Sequence, residues 1–150
     1  MAENQNFKEL LLLLNDCQVE YLIVGGYAVM RYSEPRFTKH LDVWVGHAPA
    51  NAARVYTALA RFGAPLRQDG VDEKTFGAVN TVYQIGIAPV RVDVLTSISG
   101  CVFEEAWQRR VVGVMYGVPV HFISLPDLVR NKRAAGRTSD LEHLGLLNEE

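Results

Sequence analysis

The stretch RFTKHLDVWV, residues 36–45, combines the apolar pattern of a buried strand with two polar side chains inside it. His40 and Asp42 are two residues apart, and alternate side chains of a strand project from the same face of the sheet. The same stretch begins with basic and hydroxyl side chains, among them Arg36 and Thr38. We therefore interpret this strand as the carrier of a candidate functional face.

The preceding motif, IVGGYAV at residues 23–29, places Gly25 and Gly26 between a predicted strand and a predicted helix. Glycines in such a turn let the backbone approach a ligand closely, and the free N–H groups of a helix N-terminus bind anions. Glycines also occur in strand-to-helix turns for steric reasons alone. By itself, the turn is a weak signal for a phosphate site.

A further carboxylate, Asp93, lies in VRVDVLTS at residues 90–97, where valines alternate with other side chains. If this strand neighbours the one that carries Asp42, the two carboxylates converge and can hold Mg²⁺ and activate a hydroxyl. Burying even a neutral polar group without a partner costs about 2 to 7 kcal/mol, so a metal or a basic partner is expected.

A simpler interpretation of these residues needs no ligand. Asp42 and Asp93 would form ion pairs with Arg36 or Arg91 at the rim of the sheet. His40 would be an ordinary hydrogen-bonded histidine at the start of a strand. In the corresponding alternative for the fold, an α+β domain, the glycines and the two aspartates never meet.

Basic residues cluster near the end of the chain in LVRNKRAAGRTSDLEHL, residues 128–144. Charge runs of this kind are usually solvated helix faces. A single cation that reaches a triphosphate is all that a nucleotide site requires, and Lys132 is the residue predicted to do so.

The periodicity of apolar residues predicts alternating helices and strands, then β-rich runs, then two helices. The predicted helices cover residues 7–14, 27–33, 50–63, 125–136 and 139–147, and the strands or β-rich runs cover 19–24, 40–45, 76–88, 90–97, 110–117 and 118–124. Pro49 and Gly63 suit the two ends of the third helix, and Ser124 suits the N-cap of the fourth. The run at 110–124 predicts a hairpin whose edge is either covered or able to pair with another subunit.

The composition predicts one domain, residues 1–150, because 49% of the residues are hydrophobic and 21% are charged. The formal net charge of −2 argues against nucleic-acid binding by overall charge, so any contact with RNA must be local. The apolar run at residues 10–14 is too short to cross a bilayer, which takes about 20 residues. Two cysteines without a signal peptide ahead of them predict free thiols and a cytoplasmic location.

Taken in order, these motifs resemble those of the DNA polymerase β-like nucleotidyltransferase superfamily. More closely, the chain resembles small bacterial nucleotidyltransferases related to abortive-infection and type IV toxin–antitoxin systems, over roughly residues 21–146. The resemblance implies an α/β (α+β) fold in which a mixed β-sheet is flanked by helices, with further helices at the C-terminus. It also implies that the glycine turn grips nucleotide phosphates.

By position, the resemblance makes Asp42 and Asp93 the catalytic and metal-binding carboxylates. The family pattern after R-x-T-K is Asp-x-Asp, whereas this chain has His40-Leu41-Asp42, so the first metal-binding carboxylate is degenerate. Mg²⁺ prefers oxygen ligands, and imidazole suits Zn²⁺, other transition metals or no metal. The affinity for metal is therefore expected to fall.

Two functions follow from the resemblance. In the first, the protein transfers a nucleoside monophosphate from an NTP to a hydroxyl, on RNA or another acceptor, with Mg²⁺ or Mn²⁺. Arg36 and Lys132 would neutralise the phosphates, and Thr38 would support the glycine loop. In the second, favoured by His40, an impaired homologue acts as a nucleotide-binding or interaction module with a cognate partner protein in a toxin–antitoxin or phage-defence system. Neither function involves a membrane.

Overall fold

A computed structural model describes residues 5–35, 38–86 and 90–149 of the chain. In chain order the elements are α1 (Gln5–Asp16), β1 (Tyr21–Val24), α2 (Gly25–Arg31), β2 (His40–Val45), α3 (Pro49–Phe62), a 3₁₀ turn (Thr75–Gly77), β3 (Val82–Ile85), β4 (Arg91–Leu95), α4 (Phe103–Gln108), β5 (Val111–Met115), β6 (Val118–Phe122), α5 (Leu125–Ala135) and α6 (Thr138–Leu146). Within the described part of the chain, no helix has the length and apolar character needed to cross a membrane.

The six strands form one mixed sheet in the order β3-β4-β2-β1-β6-β5. β2 lies parallel to β4 and antiparallel to β1, and β1 lies parallel to β6. β3 and β5 are added at the two edges, each antiparallel to its neighbour. The predicted α/β architecture, a mixed sheet with flanking helices and two helices at the C-terminus, is confirmed.

The two central strands are apolar because both of their faces are covered. All four residues of β1 are buried, and so are Leu41, Val43, Trp44 and Val45 of β2. α1 and α3 pack against each other, and they contact β6 and β2 respectively, so both helices cover the same face of the sheet. Each helix turns an apolar stripe inward at helical spacing.

Local signals at the ends of the helices act as predicted. Pro49 is the first residue of α3, and Gly63 ends that helix in the left-handed conformation with φ +96°. The backbone N–H of Asp127 donates to Oγ of Ser124, 3.3 Å away, which confirms Ser124 as the N-cap of α5. The boundaries of both helices therefore follow from local chemistry.

Three local predictions were wrong or incomplete. α2 begins at Gly25, two residues earlier than predicted, so the glycines belong to the helix. The β-rich run predicted for residues 76–88 contains only the short strand β3, preceded by the 3₁₀ turn, and residues 87–88 lie outside the described residues. α4 was not predicted, because it is only six residues long and too short to show a helical period.

The predicted hairpin at the end of the sheet is formed by β5 and β6. β5 is an edge strand, and Val112 and Val114 on it are exposed. One face of this edge strand is therefore exposed at these two positions. Two expectations stay predictions: that this strand pairs with another subunit, and that residues 1–150 form a single domain.

Candidate functional site

The glycine turn packs directly against the side chain of Asp42. Gly25 has φ +68°, and a Cβ atom there would lie 2.1 Å from Oδ2 of Asp42. A Cβ atom at Gly26 would lie 2.9 Å from Oγ1 of Thr38. Any side chain at Gly25 would therefore strain the backbone and also displace the carboxylate.

Asp42 and Asp93 are brought side by side by the pairing of β2 with β4. They are register partners in this parallel pair, and Asp42 is also paired with Val24 of β1, the residue before the glycine turn. Register partners of a parallel pair project from the same face of the sheet. The predicted convergence of the two carboxylates is confirmed, and the alternative fold in which they never meet is wrong.

A second pair of register partners, His40 and Arg91, lies two residues away on the same strands and the same face. Nε of Arg91 donates to Oδ1 of Asp93 at 2.8 Å, and Nη2 of Arg91 lies 3.3 Å from Oδ2 of the same carboxylate. The ion pair with Arg91 that the sequence left open therefore exists for Asp93. Arg91 occupies the space in front of this carboxylate.

Asp42 has no basic hydrogen-bond partner among the described side chains, in contrast to Asp93. Burial raises its pKa to about 6, and the neighbouring charge of Asp93 adds to this increase. The charges of His40, Lys132 and Arg91 act in the opposite direction without cancelling it. No described side chain donates a hydrogen bond to Asp42. This carboxylate is thus the less satisfied member of the pair.

The C-terminal helices bring cations to the same place. Lys132 of α5 is 4% exposed, and its Nζ donates to Oδ1 of Asp140 at 3.1 Å. Nε of Arg137 donates to Oδ2 of Asp140 at 2.7 Å. Burial alone would raise the pKa of Asp140, but the hydrogen bonds from Arg137 and Lys132 outweigh burial and hold it at about 2.

These groups surround one cavity of about 630 Å³. Its charged and polar lining includes His40, Asp42, Arg91, Asp93, Lys132 and Arg137. Gly25 contributes backbone to the same lining. The strands thus supply one side of the cavity, and the α5–α6 corner supplies another.

Comparison with known proteins supports this architecture. No protein-family model matches the chain, and no curated protein matches it in sequence. Among solved structures, the chain is similar to the crystal structure of a "putative nucleotidyltransferase" from Thermotoga maritima, with a TM-score of 0.61 and 13% sequence identity. The match covers 97% of this chain and 92% of that one. The chain therefore shares its fold with that protein.

Within this fold, the predicted nucleotide-binding residues occupy different positions. Gly25 and Lys132 line the cavity. Gly26 and Thr38 lie against each other, and Oγ1 of Thr38 donates to the carbonyl oxygen of His40 at 3.4 Å. This contact suits the supporting part predicted for Thr38. Arg36 lies outside the described residues.

Sequence reasoning missed several polar groups of the cavity. In the sequence, Arg137 stood out only as part of a charge run, although it lines the cavity. Its pKa is raised mainly by the hydrogen bond to Asp140, and the charge of Asp42 also contributes. The lining also includes Ser97 and Asn131, which come from the loop after β4 and from α5. No local pattern in the loop or in the helix distinguishes these two residues from ordinary polar surface.

The donor set does not fit the two-ion centre that the resemblance implies. Both oxygens of Asp93 already face Arg91, and His40 offers nitrogen in place of the expected carboxylate. Across residues 5–35, 38–86 and 90–149, no group of three or more His, Cys, Asp or Glu side chains is placed to hold a metal ion. Of the two carboxylates that the described residues contribute to the cavity lining, Asp42 is the one not paired with an arginine and left to a hard cation. A requirement for Mg²⁺ or Mn²⁺ stays a prediction.

Proposed function

We propose that the cavity binds a nucleoside triphosphate and that the protein transfers its nucleoside monophosphate to a hydroxyl acceptor. One observation carries this proposal: Gly25, Asp42, Asp93 and Lys132, predicted from separate motifs, all line the same cavity. A glycine backbone, two adjacent carboxylates and nearby cations are the groups that phosphoryl-group chemistry uses. An RNA hydroxyl is a candidate acceptor.

One bond to the α-phosphorus forms in the reaction, and one bond to it breaks. The acceptor oxygen forms a bond with the α-phosphorus, and the bond between that phosphorus and the oxygen bridging to the β-phosphate breaks. Pyrophosphate leaves with the electron pair, and a carboxylate oxygen of Asp42 takes the proton of the acceptor hydroxyl. Asp42 suits this task because its pKa of about 6 makes it more basic than an ordinary aspartate and still ionised at neutral pH.

The remaining residues position the substrate. The close approach allowed by Gly25 gives the phosphates access to backbone next to Asp42. Positive charge on Arg91, Lys132 and Arg137 offsets the charge that accumulates on the phosphate oxygens during transfer. Such transfers depend mainly on positioning and on fixed charges, since no covalent bond to the protein is needed.

A transfer assay tests the proposal. The protein is incubated with each labelled NTP and a mixed RNA pool, with Mg²⁺ or Mn²⁺ in parallel. We expect labelled RNA from the unaltered protein, and a loss of about 100-fold or more in Asp42→Asn, because this change removes the proton acceptor and keeps the shape. Asp16→Asn, at an exposed ion pair with Arg61, is the matched control and keeps full activity.

The absence of labelled product with every NTP and acceptor would contradict the transferase, and full activity in Asp42→Asn would contradict the part of Asp42 as proton acceptor. Binding of the NTP is measured by calorimetry on the same samples. Binding without any transfer would leave the pocket intact as a nucleotide site and remove the enzymatic part.

That outcome would favour a second candidate, an impaired homologue that binds nucleotide or a cognate protein, for instance in a two-gene toxin–antitoxin or phage-defence system. His40 and the ion pair between Arg91 and Asp93 favour it, because both reduce the carboxylate charge available to a metal. Transfer that is absent in the unaltered protein and present in His40→Asp would support this candidate.

A further inference from the structure

The floor of the cavity is a block of four side chains in two rows. Asp42 and Asp93 form the inner row, and His40 and Arg91 form the outer row, each as register partners of β2 and β4. All four line the cavity. The outer row, formed by the first residues of β2 and β4, therefore places an imidazole and a guanidinium side by side on neighbouring strands.

Arg91 is held in a fixed orientation with hydrogen-bond donors to spare. Its Nε and Nη2 are directed at the two oxygens of Asp93, whose side chain is almost fully buried. A guanidinium has five N–H groups, and this pairing uses two of them. Among the described residues, none accepts a hydrogen bond from Nη1 of Arg91. A guanidinium oriented in this way binds phosphate with little further loss of freedom.

The charges around the cavity balance. Among the described residues, three cations and three carboxylates line the cavity or pair with its lining, which sums to a formal charge of zero before His40 is counted: Arg91, Lys132, Arg137, Asp42, Asp93 and Asp140. A centre that holds two divalent ions needs surplus negative charge from its ligands. This cavity has none, and its outer row is basic.

We propose that Arg91 and His40 bind the phosphates of the nucleotide directly, so that nucleotide binding in this cavity does not depend on a divalent cation. The inference rests on the proposed function and concerns how the cavity holds its substrate. Arg91 replaces part of the charge neutralisation that bound metal would supply. His40 adds one N–H donor even as a neutral imidazole.

Calorimetry with each NTP, in EDTA and in Mg²⁺, tests this inference. We expect the dissociation constants of the unaltered protein in the two buffers to agree within about threefold. Arg91→Gln is expected to weaken binding in EDTA by about 10-fold to 100-fold, the range for losing a charged hydrogen bond. Arg91→Lys keeps the charge but loses the planar fork, so its binding is expected to be intermediate.

Two controls separate the loss of a phosphate contact from the other effects of removing an arginine charge. Arg91→Gln leaves Asp93 as an unpaired carboxylate that could itself repel phosphate. The double variant Arg91→Gln/Asp93→Asn removes that charge and is still expected to bind more weakly than the unaltered protein in EDTA. Arg61→Gln removes an arginine of an exposed ion pair outside the cavity lining, and its binding is expected to be unchanged.

His40→Asp provides a gain-of-dependence test. The added carboxylate would face Arg91 across the two strands and make the outer row less basic. We expect this variant to bind NTP more weakly in EDTA and to regain affinity when Mg²⁺ is added. A variant that binds equally in both buffers would count against the part assigned to the outer row.

The outcomes distinguish this inference from the proposed function. Binding of NTP to the unaltered protein only in Mg²⁺ overturns the inference and leaves the proposed function standing. Binding in EDTA that is unchanged in Arg91→Gln, Arg91→Lys and the double variant also overturns it, since the phosphates would then lie elsewhere. Absence of NTP binding in both buffers overturns the proposed function as well.

Discussion

The α5–α6 corner and the strand floor of the cavity both bury carboxylates, but they satisfy them differently. Asp140 at the corner and Asp127 in the first turn of α5 are fully buried, and each forms ion pairs with two cations. Asp127 pairs with Arg109 and Arg130 and also accepts a hydrogen bond from the Ser124 hydroxyl. Asp42 on the strand floor receives no hydrogen bond from any described side chain.

The pKa values show the same contrast: those of Asp127 and Asp140 lie below the ordinary value of an aspartate, and that of Asp42 lies above it. Burial acts to raise the pKa of all three carboxylates, but hydrogen bonds from cations lower those of Asp127 and Asp140 below the ordinary value. At Asp42 burial prevails, and the charge of Asp93 adds to it. Buried groups that serve the fold are paired, and a group left unpaired in a cavity is typical of a functional site.

The largest expected effect is a loss of stability when a paired carboxylate is removed. Asp140→Ala leaves the ammonium of Lys132 buried without its partner, and losing one member of a buried pair costs about 3 to 5 kcal/mol. Urea unfolding monitored by circular dichroism measures the change. Asp16→Ala, at the exposed pair with Arg61, is the control and is expected to change stability by less than about 1 kcal/mol. Similar losses in both variants would remove the distinction between the two kinds of pair.

The next largest effect is a loss of stability at low pH, where the paired carboxylates become protonated. The pKa of Asp140 is about 2 in the folded protein, below its value in the unfolded chain, so its contribution is complete above about pH 4 and is lost as the pH falls towards 2. A shift of this size corresponds to about 2.5 kcal/mol. Urea unfolding at a series of pH values should show this loss, and Asp140→Asn should show a smaller one. Equal slopes in both proteins would contradict the assignment.

Replacing the turn glycine should separate conformational strain from contact with the site. Gly25 and Gly70 have nearly the same φ, +68° and +71°, but only at Gly25 would a Cβ atom meet the Asp42 carboxylate. Both alanine variants should lose about 1 kcal/mol for the left-handed backbone, and Gly25→Ala should lose about 1 to 3 kcal/mol more. Thermal melting compares them directly, and equal losses would show that the contact with Asp42 has little weight.

The smallest expected effect has the opposite sign. Asp42→Asn removes a partly buried charge that no described side chain pairs with, so it should stabilise the protein by about 1 kcal/mol while removing transfer activity. Thermal melting at neutral pH measures the gain. A loss of stability as large as that of Asp140→Asn would mean that Asp42 is a structural carboxylate like those of the corner.

Local patterns in the sequence predicted the strands and the glycine turn, whereas the meeting of Asp42 and Asp93 was predicted only on the condition that their strands are neighbours. Strand periodicity assigns the face of each side chain, and a glycine doublet after a buried strand predicts a turn. The ion-pair partners were harder to predict. Lys132 was predicted to reach phosphate, yet its Nζ contacts Asp140, eight residues later on another helix. Spacing along one helix does not reveal such a pair, since it depends on how α5 and α6 pack.

Arg91 shows a different limit. It was considered only as a possible ion-pair partner of Asp42 or Asp93, and its pair with Asp93 is present. Its position opposite His40 follows from the register of β2 and β4, which no local pattern sets. The basic outer row of the cavity therefore became visible only when the strands were paired.

The central claim is that nucleotide phosphates bind at the turn where Gly25 meets Asp42. Isothermal titration of NTP into the unaltered protein, Gly25→Ala and Gly70→Ala tests it most directly, because the two glycines share a backbone conformation and differ in what surrounds them. We predict that Gly70→Ala binds like the unaltered protein and that Gly25→Ala binds at least about tenfold more weakly, as expected when a positioned contact is lost. Equal affinity in all three proteins would contradict the claim.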